Sequence, residues 1–378
     1  MNRTMQTDVL IIGGGPGGAA TALSLLRYSG LKVMIVEQSA LDNTRVGENV
    51  SPALFDLLDY VDIHKEDFGP DSFLEGYSNK AAWGSSYINT RDSLFTSQGA
   101  NYQIDRERFD LHLLEQVMSR GGIVFPRTRC QSLRQLPNEH WEASFQHRDQ
   151  QQFDVLARYI VDATGRQSTI SRQLGIESVR FDQLVAIGAF LQTTDNRNIS
   201  QDLFMEATEE GWWYTAALPK QQMAVTFFTD ADRASELQLH KPANWCKMLE
   251  QTVHTRQRTS ETLSHEALWT RNAFSQLNDF SCRKNFIAVG DAAAAFDPLS
   301  SMGIGFAISS AFQAARALLE NYNGDAKAID RYQQDISRIF HSYQELKLQF
   351  YHKEQRWPES AFWKRRHTFV PLRREQYA

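Results

Sequence analysis

The stretch over residues 8–37 constrains this chain more than any other. Residues 8–13, Asp-Val-Leu-Ile-Ile-Gly, read as a short buried strand that ends in a glycine turn. Gly13-Gly14-Gly15-Pro16-Gly17-Gly18 follows and satisfies G-x-G-x-x-G at Gly13, Gly15 and Gly18. Residues 19–27 are small and apolar at helical spacing, and a second strand, Lys32-Val33-Met34-Ile35-Val36, ends in Glu37, 24 residues after Gly13. Each part has a physical job. Gly13 permits the tight turn, Gly15 lets backbone approach a pyrophosphate, and Gly18 lets helix pack closely on strand. The helix opened by Pro16 and Gly17 presents unpaired N–H groups and a positive dipole end to phosphates. Glu37, with Gln38 beside it, is placed to accept from a ribose hydroxyl. A glycine pattern alone is weak, but strand, glycines, helix, strand and acid occur here in order.

Two later segments bear on which dinucleotide is held. Residues 157–166, ending Asp162-Ala163-Thr164-Gly165-Arg166, read as an apolar strand running into a small-residue turn. Residues 285–305 read as a strand, then Gly290-Asp291, an alanine run, Pro298, and a helix opening near Gly303 and Ile304. Asp291 at the strand's end can accept from the polyol of an extended cofactor. The helix start offers N–H donors and a positive dipole to an electron-rich ring edge, as the anionic form of a reduced flavin requires. The alternative for this segment is a core strand followed by a tightly packed alanine turn. With the N-terminal position of the first motif, the expectation is a tightly held FAD.

Composition narrows the function class. The chain has 378 residues, 42% hydrophobic and 22% charged, with a net charge of −5. That is enough apolar surface for one large domain or two modest ones, and no basic surplus points to nucleic acid. Cys130, Cys246 and Cys282 lie too far apart for a CxxC metal site, and no metal is expected. No uncharged apolar run reaches the roughly 18–20 residues of a bilayer span, and the N-terminus lacks a signal-peptide core. A cytoplasmic location is expected; the sequence assigns no oligomeric state.

Together the three segments resemble the FAD fold of the para-hydroxybenzoate hydroxylase superfamily, which includes aromatic hydroxylases, geranylgeranyl-reductase-like enzymes and tryptophan halogenases. Two more pieces are similar. Arg45-Val46-Gly47-Glu48-Asn49-Val50-Ser51-Pro52 looks like the Gly-Glu loop of the halogenase and reductase branches, and Arg106-Glu107-Arg108-Phe109-Asp110 looks like that superfamily's Arg-x-x-Phe-Asp helix start. The resemblance implies that Arg45, Gly47, Glu48 and Arg106 lie against the cofactor; the alternative for the arginines is a surface or ion-paired role. It also implies a doubly wound α/β FAD-binding domain (Rossmann-like, glutathione-reductase-type) over residues 1–70, 101–175 and 276–322. Residues 71–100 and 176–275 lack that rhythm and alternate as antiparallel strands, a substrate-binding sheet with Trp83, Trp212, Trp213 and Tyr214 as candidate pocket walls, the alternative for each being an ordinary core position. Residues 235–254 look helical.

Tryptophan halogenases carry a Lys about thirty residues beyond the Gly-Glu loop, and Lys80 lies 32 residues after Glu48. Lys80 is the one catalytic candidate the comparison offers. They also carry a Glu after a Pro-Leu pair, where this chain has Ser300, and a Trp-x-Trp-x-Ile-Pro block matched only loosely by residues 211–219. Residues 326–352 repeat apolar positions in steps of three and four, including Tyr343, Leu346 and Phe350, and predict a helix ended by Pro358. An aromatic and basic tail completes a C-terminal segment, 323–378.

The tail, Trp83-Gly84-Ser85 and Gly211-Trp212-Trp213-Tyr214 look most like flavoproteins that mature cysteine tryptophylquinone in lysine and glycine oxidases. That resemblance implies an FAD-dependent monooxygenase using NAD(P)H and O2, in which a flavin C4a-hydroperoxide hydroxylates an electron-rich ring. The ring would be a tryptophan side chain of a partner precursor protein, reached through an open mouth near Trp212 and Tyr214. Hydroxylation of a free aromatic metabolite, isoprenoid reduction, halogenation and a catalytically idle flavin-loaded interaction protein are the alternatives.

Overall fold

The structure, a computed structural model, describes residues 3–42, 45–92, 100–149, 151–193, 201–260, 262–265, 267–280 and 283–368. Cys282 and the last ten residues of the predicted tail lie outside them.

The opening strand, Arg3–Ile12, is flanked in parallel by Val33–Val36 on one side and Phe153–Asp162 on the other. Val9 to Ile12 and Val33 to Val36 are buried on both faces, as unbroken apolar runs in a helix-covered parallel sheet should be. Ile123–Phe125 extends the sheet beyond Val33–Val36, and Phe286–Ala288 pairs with the end of Phe153–Asp162. Trp141–His147 and Thr128–Gln135 continue it as an antiparallel ribbon, giving seven strands. The helix Pro16–Tyr28 crosses the sheet so closely that a β-carbon on Gly18 would sit 2.0 Å from the Gly13 carbonyl oxygen. The helix Gly303–Tyr322 packs beside it.

A second sheet of eight strands covers the C-terminal ends of these parallel strands. Leu184–Thr193, Gln222–Asp230, Gly211–Leu218 and Asp202–Thr208 pair antiparallel in that order. The next pair differs from the antiparallel expectation: Ser78–Ala82 runs parallel to Asp202–Thr208. The two segments are joined through the other half of the molecule, so no hairpin fixes their direction. Side chains alternate across this sheet. Trp212 joins Leu184 and Phe228 on one face, while Trp213 joins Ile187, Val225 and Trp245 on the other. Trp245 sits on the helix Pro242–Glu250 that covers this second face; the sequence's helical reading of 235–254 corresponds to Ala231–Glu236 and Pro242–Glu250.

The C-terminal helix runs Ala328–Tyr351 and buries Ile329, Tyr332, Ile336, Phe340 and Tyr343. Leu346, predicted on the same stripe, is 64% exposed, because the buried stripe continues instead through Lys347 and Tyr351. The helix also stops seven residues before Pro358. Just beyond its end the buried Glu354 carboxylate accepts locally from the backbone N–H of Arg356 (2.9 Å) and, across the fold, from that of Gly84 (2.8 Å), so a turn anchored by a tertiary hydrogen bond stands in place of a proline break. A last helix, Ala361–Thr368, returns the chain onto the second sheet. There the fully buried Trp363 donates to the Thr208 carbonyl (2.8 Å), and Arg366 pairs with buried Asp230 (2.9 Å). Among the described residues no helix is long and apolar enough to cross a membrane.

Trp363→Ala would open a cavity and leave the Thr208 carbonyl without its donor. A loss of about 3–5 kcal/mol in unfolding free energy is expected, measured by urea denaturation. FAD stoichiometry at low temperature should be unchanged, since Trp363 does not line the cavity described next.

Candidate active site

Three sequence segments end at one edge of the parallel sheet. The chain leaves Arg3–Ile12 at Gly13, Phe153–Asp162 at Ala163 and Phe286–Ala288 at Val289. These exits are tied together: Gly13 N–H donates to the Val36 carbonyl (2.8 Å), Ala163 N–H to Ile12 (2.9 Å) and Val289 N–H to Asp162 (3.0 Å). Gly13 has φ +116°, and a β-carbon there would lie 2.1 Å from the Ala163 carbonyl oxygen, so only glycine fits the turn. The edge opens into a cavity of about 1160 Å³ that reaches across to the second sheet. Pockets for a single small ligand are typically ~300–1,000 Å³, so this one has room for an extended dinucleotide and part of a second molecule.

Gly13, Gly15, Pro16, Gly17, Glu37, Gln38, Arg45, Gly47, Glu48, Arg106, Gly165, Gly290, Asp291, Pro298, Gly303 and Ile304 all line it. Gly18 does not; its place is the helix–strand contact. Two helices point their N-termini into the cavity, at Pro16 and Gly303, and neither has a side-chain cap. A β-carbon on Gly15 or Gly303 would meet nothing within 4 Å, so backbone donors at both ends are open to a ligand. Uncapped donors at both ends of an elongated, open cradle fit a diphosphate-linked cofactor with an electron-rich ring, and the donor set fits FAD.

Several side chains already have partners. Glu37 accepts from Gly14 N–H (2.7 Å) and from Ser39 N–H (2.8 Å), locking the two strand-end turns together. Asp291 faces the Arg166 Nε (3.3 Å). Arg45 and Arg106 both pair with buried Asp110, Arg106 at 3.0 Å. They are thus both ion-paired and cavity-lining. Burial pulls the Arg106 guanidinium down, but the Asp110 charge and hydrogen bonds outweigh it, and the net shift is upward. Burial pushes Tyr214 up, and the nearby Glu48 adds to it. Burial also raises the Cys130 thiol to about 12, with Asp162 contributing, so this cavity-lining cysteine is no thiolate nucleophile.

Four expectations are corrected. Trp213 does not line the cavity; strand alternation turns it to the other face of the sheet, where it is buried against Trp245. Trp83 is not a cavity wall. It is buried beneath the tail, donates to the Phe350 carbonyl (3.1 Å) and packs edge-on against Trp363, because the Ser78–Ala82 strand delivers it to the tail. Trp212 does line the cavity but is only 1% exposed, not placed at an open mouth. Its indole N–H donates to the Tyr351 hydroxyl (3.2 Å), which in turn donates to buried Asp297 (2.8 Å). Lys80 lies off the cavity and pairs with Asp202 (2.6 Å). Tyr214 is half-buried and lines the cavity. The sequence reading missed Met205, Phe228, Trp269 and Arg271 on the second sheet, and Thr128 to Gln131 on the antiparallel ribbon. No motif marks them; strand alternation was their only signal. Among the described residues no group of three or more His, Cys, Asp or Glu could hold a metal ion.

Glu48 is 6% exposed, and its Oε1 has no hydrogen-bond partner. Burial raises its pKa from the usual 4.5 to about 7, against the opposing charge of Arg106. The fold therefore favours the protonated carboxyl. That contribution is complete below pH 4.5 and is lost as pH rises through about 7. Glu48→Gln, which cannot ionise, is expected to gain about 2–3 kcal/mol over wild type in the cofactor-free protein on going from about pH 5 to about pH 8. Urea unfolding at the two pH values checks this; a constant difference would show a carboxyl of ordinary acidity.

The family described as FAD binding domain matches residues 6–343. LodB of Marinomonas mediterranea, assigned as an FAD-dependent oxidoreductase, is 43% identical over 97% of this chain and 98% of its own length. A 1H-pyrrole-2-carbonyl-[peptidyl-carrier protein] chlorinase of Pseudomonas fluorescens is 25% identical over 83% of the chain and 76% of its own. Among solved structures, the flavin-dependent halogenase CmlS superposes with a TM-score of 0.85 at 22% identity, covering 98% of this chain and 69% of that one. The peptidyl tryptophan dihydroxylase QhpG, essential for tryptophylquinone cofactor biogenesis, superposes with a TM-score of 0.76 at 23% identity, covering 97% and 80%. At those identities the superpositions establish the fold. With the profile match spanning most of the chain and the full-length likeness to LodB, this protein belongs to the FAD-binding monooxygenase family and is an FAD-dependent oxidoreductase.

Proposed function

We propose that this protein uses NAD(P)H and O2 to hydroxylate a tryptophan side chain of a partner protein, a precursor of a quinone-cofactor oxidase. The observation that carries the reading is the chamber where the cavity meets the second sheet. Met205, Trp212, Tyr214, Phe228 and Trp269 line it, in the same cavity as the helix start at Gly303. Such walls suit a flat, electron-rich ring. The full-length likeness to LodB and the fold shared with QhpG, whose name gives peptidyl tryptophan as its substrate, support the same substrate class.

The flavin, when bound, supplies activation of O2 and transfer of one oxygen to the ring. The chain does the rest. On this reading, residues 1–70, 101–175 and 276–322 hold the cofactor, residues 71–100 and 176–275 hold the substrate, and 323–378 form the C-terminal helix and tail. The N-termini at Pro16 and Gly303 hold the diphosphate and the ring edge by backbone N–H groups. The second sheet excludes water from the reacting atoms. On this reading the protein works in the cytoplasm, where reduced nicotinamide is supplied.

The halogenation reading is weaker. Lys80 is outside the cavity, paired with Asp202, and Ser300 stands where that branch has a carboxylate. The decisive experiment expresses a candidate quinone-oxidase precursor with and without this protein, in air, and reads tryptophan masses by peptide mass spectrometry. A gain of one or two oxygen atoms on one tryptophan, dependent on this protein, is expected. An unmodified tryptophan together with turnover of free aromatics would instead establish the small-metabolite hydroxylase.

A further inference from the structure

Glu48 occupies an unusual position for a carboxyl. Its backbone is held firmly: the Ile104 N–H donates to the Glu48 carbonyl (2.9 Å), and the next two residues pair with the strand Asn101–Ile104. Its side chain lines the cavity, is 6% exposed and leaves Oε1 buried without a hydrogen-bond partner. The nearest cation does not satisfy it. Arg106 spends its hydrogen bonds on the Val46 carbonyl (2.5 Å), the Gly47 carbonyl (3.2 Å) and Asp110 (3.0 Å). A buried carboxyl oxygen left open costs free energy until a donor reaches it. The cavity is where a donor can arrive, and Tyr214, whose acidity Glu48 perturbs, lines it too.

One open acceptor in a cavity lined by aromatic side chains suits a flat, apolar ring with a polar hydrogen on its rim, and on the tryptophan reading above that hydrogen is the indole N–H. We propose that Glu48 recognises the substrate ring by accepting the indole N–H at Oε1. This deepens the tryptophan reading above and rests on it. The ionised carboxylate is the stronger acceptor, so recognition should strengthen as pH rises through the Glu48 titration near 7. The ionisable groups around Glu48 are Arg45 in its own loop, Arg106 and Asp110 on the helix Arg106–Ser119, Tyr214 on the second sheet and Asp291 across the cavity.

The test uses FAD-loaded protein and two probes, N-acetyl-tryptophanamide and its 1-methyl-indole analogue, with binding read by perturbation of the flavin absorbance and by equilibrium dialysis. At about pH 8 the N–H probe should bind on the order of tenfold more tightly than the methylated one. The preference should shrink at about pH 6, fall to a few-fold in Glu48→Gln, which keeps a neutral acceptor, and vanish in Glu48→Leu. If Glu48→Leu does not fold, the Gln variant and the pH dependence carry the test. Equal binding of the two probes by wild type, or a preference that survives Glu48→Leu, overturns the role of Glu48 while leaving tryptophan as the substrate. Loss of FAD in Glu48→Leu with the preference intact would assign the carboxyl to the cofactor instead. Failure of either probe to bind at all overturns both the role and the substrate reading.

Discussion

The cavity depends on one contact between backbones. Gly18 on the first helix lies against the Gly13 carbonyl, and Gly13 in turn lies against the Ala163 carbonyl, with no room for a side-chain carbon at either place. This double approach brings the helix start at Pro16, the turn after Asp162 and the turn after Ala288 to a single edge. The interstrand N–H donors of Gly13, Ala163 and Val289 then hold those turns in register. A larger residue at either glycine would push the helix from the sheet, and the diphosphate cradle would lose its geometry before any cofactor arrived.

The second sheet reaches the same cavity from the other side, and the C-terminal chain holds it there. Tyr351 ends the long helix and links Trp212 of the sheet to Asp297, which stands one residue before Pro298 on the cavity rim. Tyr343, from the same helix, accepts the Asp297 N–H (2.7 Å). Asp297 is fully buried, and its acidity is weakened by that burial, with Lys347 opposing. The tail is thereby coupled to both walls of the site without touching its contents. The aromatic residues that looked like pocket walls in sequence are divided between the two tasks: Trp83 supports the tail, while Trp212 does both.

How much was legible followed from the range of the forces involved. The dinucleotide half is specified by local rules. Glycines at fixed offsets, an uninterrupted apolar strand and an acid at the end of the next strand each act within a few residues, and all but Gly18 of the cofactor-lining candidates reach the cavity. The C-terminal helix ends before Pro358, a local signal, because the hydrogen bond that Glu354 accepts from Gly84 comes from folding the tail back on the sheet.

The substrate half depended on pairings between distant segments. Which face of Gly211–Leu218 meets the cavity is set by its neighbours, since a period-two pattern of aromatic residues looks the same from either side. Trp212 and Trp213 are adjacent and identical in type, yet one lines the cavity and the other packs on Trp245. By itself the sequence determined that a dinucleotide-type cradle forms and which backbone turns and helix starts line it, because those positions are ordered by nearby glycines. Only the tertiary structure decided which aromatic residues line the cavity, why Lys80 is absent from it and why Glu48 is left with an open oxygen. Those outcomes arise where two sheets and a returning tail meet, and burial there is a property of the assembled chain.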